Sequence, residues 1–387
     1  MKTSEIIVFI VYLLCMLGIG IFFFVKTRNG GEKTYFLGGR EMGPWVAALS
    51  AGASDMSAWV LMGLPTSIYA LGLGQVWIPV GLAIGYTISW LLEAPRLRKF
   101  SIVANDSITI PQYLTNRFLS KSLALQVICA IVFLVAYTIY AASSVKACGT
   151  LFHTVIGMDP QIAMYLAAVV IVGYTFLGGF SAVCWTDFFQ GMLVLGSMFI
   201  APIFAAFMLD TSSMSALPGG YLNPFSSWQD IVSGLAWGLG YFGMPHILVR
   251  FMSIKSSSMI KKSRRIAIVW VIITLVASVA VGVLGYVYLF QTEGTVLEGA
   301  ASETIFMVLV QRLTPGFIAG ILLCAIVAAI MSSSDSQMLV TASAISNDIY
   351  KTIFRKEATD KELLRVSKIA VIAVAVIAFV LALNPDN

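Results

Sequence analysis

The sequence predicts an all-α membrane protein that crosses the bilayer about ten times, and three observations carry that prediction. Hydrophobic residues make up 59% of the 387 and charged residues only 11%, against about 25% charged residues in an ordinary soluble domain. The mean hydropathy is +0.90. The apolar residues are gathered into runs of about 20, the length at which a helix spans a hydrocarbon core of about 30 Å. Residues 1–387 therefore read as a single polytopic membrane domain with the lipid bilayer as its partner.

The first run, 6–25, exceeds the roughly 7–15 residues of a signal-peptide core and is followed by no A-x-A-like cleavage site, so it reads as a retained extra helix. Further spans are predicted at 45–70, 76–92, 123–144, 161–177, 182–209, 231–251, 266–290, 317–346 and 366–383. Basic residues fall in alternate connections: Lys26, Arg28, Lys33 and Arg40, then Arg96, Arg98, Lys99, Arg117 and Lys121, then Arg250 to Arg265, then Lys351 to Lys368. The other connections are short or acidic, with Asp210, Asp230, Glu293, Glu298 and Glu303. By the positive-inside rule the basic loops are cytoplasmic, and the N-terminus of this multi-pass cell-membrane protein lies outside. The net charge of +5 is thus topological. Basic residues divided among the loops of one membrane face, with no clustered patch, exclude nucleic acid as a partner. Cys15, Cys129, Cys148, Cys184 and Cys324 lie in or near spans without ligand spacing and read as small packing residues. His153 and His246 are too few and too separated for a metal site.

Helices in lipid satisfy their own backbone, so an irregular stretch is tolerated only where protein or a wet cavity replaces the lost bonds. Three predicted spans carry such stretches. In 45–70, Gly52, Ser54, Asp55 and Ser57 interrupt the apolar run and Pro65 follows. In 231–251, WGLGYFGMPHI combines Gly238, Gly240, Gly243 and Pro245 with Trp237, Tyr241 and Phe242. In 317–346, the polar block Ser332 to Ser336 includes Asp335. An ionisable Asp55 inside an apolar span costs several kcal/mol unless it faces a partner, a cavity or an ion path, about 3 kcal/mol even on the gentlest scale. The first two interruptions stand five spans apart, which is the signature of corresponding breaks in two structural repeats and points to a transporter's binding site. Freed carbonyls and hydroxyls there suit a hard cation, and half-helix N-termini suit a carboxylate. Simpler packing roles remain open at the same residues. Serines serve close contact in many membrane helices, as Gly81 and Gly85 do in GLAIG. Trp237 and Tyr241 also fit interfacial anchors, Tyr140 fits a core position, and Asp335 fits the cytoplasmic vestibule.

The runs REMGPWVAALSAGASDMSAWVLMGLP (40–65), GGFSAVCWTDFFQ (178–190), AWGLGYFGMPHILVRFM (236–252) and AGILLCAIVAAIMSSSDSQ (319–337) resemble the sodium/solute symporter family, and within it the sodium/proline symporters. The resemblance covers essentially the whole chain. It implies a leucine-transporter-type inverted-repeat fold with one extra N-terminal helix, a first repeat at about 45–209 and an incomplete second at about 231–387. It further implies uptake of L-proline coupled to Na⁺ by alternating access, with no organic cofactor and no enzymatic activity. By the same resemblance sodium is held by Ala53, Asp55, Met56, Ala329, Ser332 and Ser333, the substrate by Ser57, Trp59, Tyr140, Trp237, Tyr241 and Pro245, and coupling depends on Arg40. Ser333 stands where the family usually has Thr, which keeps the hydroxyl, and Ala58 replaces a common Gly. The chain ends after its tenth predicted span, so a form truncated within the second repeat is expected. Competing readings are a symporter for another small solute such as a carboxylate or pantothenate, and a transporter-like sensor. An intramembrane enzyme is disfavoured, because the sequence offers no nucleophile–base pair.

Overall fold

A helix whose polar residues form no continuous stripe has no face to offer to water and is buried by its neighbours. In the computed structural model, which describes residues 3–27, 30–209 and 217–383, that helix is Gly316–Ser343. Every residue from 322 to 342 is buried. Around it stand Thr3–Thr27 (α1), Pro44–Met56 (α3), Ala124–Ile156 (α8), Pro160–Met208 (α9) and Asp360–Ala382 (α15), so the buried helix is α14 in chain order. Ile260–Glu293 (α12) packs on α3, α9 and Gly63–Leu71 (α4). The shorter helices are Glu32–Leu37 (α2), Trp77–Ile88 (α5), Ala94–Val103 (α6), Ile110–Arg117 (α7), Trp228–Ala236 (α10), Pro245–Ser253 (α11) and Ile305–Leu313 (α13). Among the described residues the only extended pairing is an isolated bridge between Met42 and Ile254. Arg28 and Asp210, used above for orientation, lie outside the described residues.

Seven helices are long and apolar enough to cross a membrane, or eight if the bent pair Trp228–Gly243 and Pro245–Ser253 counts as one. This is fewer than the ten runs read from the sequence, because two of the seven are not simple spans. Pro160–Met208 has 49 residues, and at 1.5 Å per residue it would measure about 74 Å, over twice the hydrocarbon thickness. It contains one non-helical residue, Gly179, at φ 59° and ψ −158°. A side chain is excluded there twice over, by the left-handed φ and by the Tyr35 carbonyl, which a Cβ would meet at 2.9 Å. The expected boundary between 161–177 and 182–209 falls at this residue. Ala58–Val103 likewise strings α4, α5 and α6 together through tight 3-10 and π turns.

The polar block of α14 corrects an expectation. Ser332 to Ser336 do not interrupt the helix, which runs unbroken to Ser343. The hydroxyls of Ser332, Ser333 and Ser334 reach carbonyls of the preceding turn, as Ser334 Oγ does that of Ile330 at 2.8 Å, and that of Ser336 meets Asp335 and Arg250, so they need no break to be satisfied. The irregular backbone of this segment lies later, in the π-helical stretch Ala344–Phe354.

Gly81 and Gly85 do serve close packing. A Cβ on Gly81 would strike the Gly234 carbonyl and Leu235, and one on Gly85 would strike Gly238. The α5 backbone thus lies directly against α10 and the segment after it. Gly85→Leu is expected to separate these backbones and lower stability by about 1–3 kcal/mol or more, the range for overpacking. Gly196, with nothing within 4 Å of its missing side chain, is the control: Gly196→Leu should leave the thermal midpoint in detergent unchanged or raise it.

Candidate functional site

Two helices break, and their breaks meet. Helix α3 ends at Met56 because Ser57 takes φ 47° and ψ −171°. The Ser57 hydroxyl then accepts from the Trp59 N–H at 3.2 Å, and a short 3-10 turn, Ala58–Val60, leads to α4. Gly52, expected to belong to the break, is helical and buried instead. A Cβ at that position would meet the Trp270 ring at 2.6 Å. The second break follows α10: residues Trp237–Gly243 tighten into a 3-10 helix, Met244 is extended, and α11 starts at Pro245. The two arms are bent by 49°.

The last four carbonyls of an α-helix lack intrahelical partners. At α3 these belong to Ala53, Ser54, Asp55 and Met56, and α14 supplies partners for two of them. Ser332 Oγ donates to the Ala53 carbonyl at 2.9 Å and lies 3.2 Å from that of Ala329. Ser333 Oγ donates to the Ser54 carbonyl at 3.0 Å and lies 3.1 Å from that of Ala329. Carbonyl and hydroxyl oxygens of Ala53, Ser54, Ala329, Ser332 and Ser333 thus gather in one buried cluster. It sits at the negative end of the α3 dipole. No group of three or more His, Cys, Asp or Glu placed to hold a metal occurs among the described residues, so the cluster offers neutral oxygens, suited to a monovalent hard cation and poor for a divalent one, which draws on carboxylates.

Beside the cluster lies a cavity of about 450 Å³. Asp55, Met56, Ser57, Trp59, Tyr140, Trp237 and Tyr241 line it together with Met62, Leu82, Met244 and Glu303. Trp59 and Trp237 stack with ring centroids 5.3 Å apart. Tyr241 Oη donates to Asp55 Oδ2 at 2.6 Å. Pro245 is buried and does not line the cavity; it opens α11 directly after Met244, which does. Of the residues expected to hold sodium, Ala53, Ala329, Ser332 and Ser333 come together in the oxygen cluster, whereas Asp55 and Met56 border the cavity.

A third group was missed in the sequence. Arg250, counted above with the basic loop residues, is 1% exposed, which removes it from the loop. It donates through Nη2 to Asp187 Oδ2 at 2.8 Å and to Ser336 Oγ at 2.6 Å, and through Nε to Ser50 Oγ at 2.8 Å. Ser50 and Ser54 add hydrogen bonds to the same Asp187 oxygen. Asp335, which the sequence allowed in a vestibule, is fully buried here, with Oδ2 accepting from Tyr174 Oη at 2.7 Å and Oδ1 from Ser336 at 3.0 Å. An Asp and an Arg inside two of the motifs quoted above are the signal that finds such a pair, since intramembrane charges are rarely solitary. Ser54 joins this network to the oxygen cluster, with its hydroxyl on Asp187 and its carbonyl on Ser333.

Arg40 stands apart, at the turn between α2 and α3. Its guanidinium donates to Ser101 Oγ, the Met252 carbonyl and the Ser107 carbonyl at 3.0, 2.8 and 2.9 Å, and pairs with Asp106 at 3.2 Å. Burial pulls its pKa below the ordinary arginine value, and Asp106 opposes that pull. Lys33 binds the other Asp106 oxygen at 2.5 Å, and Arg98 donates to the carbonyls of Ile254 and Lys255.

Two broken helices meeting over an oxygen cluster and a cavity define a secondary transporter in architecture. Residues 35–387 match the sodium:solute symporter family, and the chain belongs to that family. It is 42% identical to an osmoregulated proline transporter of Bacillus subtilis over 100% of this chain and 79% of that protein. With a high-affinity proline transporter of the same organism it is 44% identical over 96% of this chain and 79% of that one. With the sodium/proline symporter of Escherichia coli it is 41% identical over 100% of this chain and 78% of that one. The fold matches that of a Na⁺-coupled sialic acid symporter in a substrate-bound outward-open state, with a TM-score of 0.88 at 20% identity over 98% of this chain and 82% of that one. A nucleobase-cation-symport-1 family transporter in a closed conformation aligns with a TM-score of 0.55 at 14% identity, over 90% and 75% of the two chains.

The Asp187–Arg250 pair gives a first test of the site's construction. Arg250→Met removes the one cation described in a cluster of two carboxylates and is expected to lower stability by about 3–5 kcal/mol, the cost of orphaning a buried charge. Arg250→Lys keeps the charge without the planar fork and should recover part of that loss in a thermal melt.

Proposed function

We propose that this chain is a sodium-coupled symporter that imports L-proline across the cell membrane by alternating access. The names of the three relatives support proline as the substrate. The observation that carries the reading is the sharing of one helix end: Ala53 and Ser54 give carbonyls to the oxygen cluster, while Asp55 to Trp59, the next residues, form the wall of the cavity. An ion and a solute bound on either side of that short stretch stabilise the same arrangement of α3 against α14, and such linkage is reciprocal. In this reading sodium takes its ligands from Ala53, Met56, Ala329, Ser332 and Ser333. The substrate lies among Ser57, Trp59, Tyr140, Trp237 and Tyr241, with Pro245 fixing the direction of α11. A cavity of about 450 Å³ suits a compact solute, and its aromatic walls bury the apolar part of an imino acid. Arg40 is the coupling residue, acting through the contacts that tie its turn to α6, to the loop after it and to α11. The proposed topology has ten crossings, with Gly179 as one turning point, basic loops inside and the N-terminus outside.

The deciding experiment is radiolabelled proline uptake into vesicles with an inward sodium gradient and with a matched potassium gradient. Uptake is expected only with sodium. Equal uptake under both gradients, or none that proline competes for, overturns the reading.

Within the sodium site, Ser332→Ala with Ser333→Ala is expected to weaken sodium binding by about 10–100-fold, as loss of about 1–3 kcal/mol of oxygen contact requires. Ser334, whose hydroxyl bonds only within its own helix, is the comparison. Its Ala variant should bind ²²Na⁺ like the parent, and an equal loss there would mark helix packing as the cause.

A further inference from the structure

The cavity is shut at one end by a pair of residues that the site described above does not use. On α8 its lining residues are Tyr140, Ser143, Ser144 and Ala147, and on the second break they end at Met244. One turn before Tyr140, Tyr137 shares a hydrogen bond of 3.0 Å with Nδ1 of His246, two residues after Met244. The two rings meet edge to face with centroids 5.5 Å apart, and both side chains are buried. Among the described residues this is the one side-chain hydrogen bond between α8 and α11. Helix α8 starts beyond Arg117 and Lys121, and α11 leads to Lys255. On both helices, therefore, the pair stands on the basic-loop side of the last residue lining the cavity. Further along that side, a crevice between α11 and α14, walled by Val249, Leu339, Val340 and Ser343, has a volume of about 10 Å³, roughly the least that admits one water. At its other end the cavity shares Met62, Ser143, Ala147 and Glu303 with a hollow of about 570 Å³ that reaches Leu381, at the far end of α15 from the basic loops.

We propose that Tyr137 and His246 form the inner gate of the cavity, and that solute passes to the cytoplasm only when their bond parts and α11 moves off α8. The proposal rests on the symporter reading above and assigns residues to its release step. Helix α8 is unbroken over 33 residues and packs on α9, α14 and α15, whereas α11 is one arm of a helix bent by 49° at Met244. A fixed wall and a hinged one thus meet at this bond. The buried hydroxyl and imidazole satisfy each other while the gate is closed. When it opens, water entering from the basic-loop side takes over both groups, so the unfavourable state is the dry, unpaired one halfway between. His246 also ties the gate to the ion site. Its carbonyl accepts from Arg250 Nη1 at 2.5 Å, Arg250 binds Asp187, and Ser54 joins Asp187 to the oxygen cluster. Sodium that orders the cluster therefore steadies the first turn of α11 and favours the closed gate.

The test reads the crevice directly, with Ser343→Cys as the reporter and an impermeant maleimide applied to inside-out membrane vesicles of the full chain, without proline. Ser343 walls the crevice, which is too small for the reagent while the gate is closed. Cys148 and Cys324, buried in α8 and α14, report general loosening. With the reporter as its only change, the chain is expected to label slowly, and more slowly in sodium than in potassium. Tyr137→Phe keeps the ring and strands the imidazole in the closed state, so the reporter should label about tenfold faster while Cys148 and Cys324 stay unreactive. His246→Leu should act alike, and His246→Asn, which returns an acceptor near the place of Nδ1, should recover most of the slow rate. The two His246 variants carry the test if the Phe variant is not monodisperse. The gate is overturned if Tyr137→Phe leaves the labelling rate unchanged, if His246→Asn labels as fast as His246→Leu, or if Cys148 and Cys324 gain reactivity together with the reporter, which marks a packing role alone. No proline is present, so each of these failures leaves sodium symport standing. Absence of sodium-driven proline uptake by the parent overturns the symporter reading, and the gate with it.

Discussion

The constraint on which the structure depends is that α3 stops in the middle of the fold, with its end turned toward α14 and not toward water. A helix end in an apolar surround leaves carbonyls that must find donors. Here they find Ser332 and Ser333. That requirement explains why α14 carries a dense run of hydroxyls while remaining an unbroken helix, and why it is buried along its length. Hydroxyls are the fitting choice, because each supplies a donor to a carbonyl and retains lone pairs for a cation. An apolar α14 would leave the break unsatisfied.

The network behind the cluster gives the break its rigidity. Arg250, Asp187, Ser50, Ser54, Ser336 and Asp335 join α3, α9, α11 and α14 through charge-assisted bonds in a region without water-facing surface. Buried pairs of this kind contribute little net stability over apolar packing but make partial disassembly expensive. The two broken helices are thus anchored at their basic-loop halves, α3 and α11, by one ion pair with α9. Their other halves, α4 and α10, lie beyond the breaks and take no part in it. A fold that ties one half of each broken helix into a buried ion-pair network and leaves the other half outside that network has the mechanical division that gating of one bundle against another requires.

Much of this was legible from composition and spacing. Apolar runs fixed where helices lie, and Gly-rich and Pro-rich interruptions marked the meeting of the two breaks, because chain irregularity inside lipid leaves a local trace in residue type. What the sequence does not carry is the direction in which a polar group is satisfied. Ser332 to Ser336 look the same whether a helix breaks there or bonds back to its own preceding turn. Gly52 looks like a hinge and is a seat for Trp270. Arg250 stands at the end of the predicted span 231–251 and looks like one of the loop cations, although its partner stands 63 positions earlier in the chain. Asp55 was visible as an anomaly, but which neighbour its carboxylate faces is decided by Tyr241, on another helix.

Arg40 carries a consequence of its own. One side chain bonds to Ser101, Ser107 and Met252 and pairs with Asp106, so the turn before α3, the α6 end with its loop, and α11 meet on one guanidinium, beside the Met42–Ile254 bridge and the bonds of Arg98 and Lys33. Contacts distributed over many residues let surfaces slide apart by degrees. Contacts gathered on one guanidinium are lost together or kept together, so this share of the joint gives way as a unit. For a protein that must never present a continuous path through a membrane, a joint with a part that yields all at once is a better guard against leakage than one that creeps.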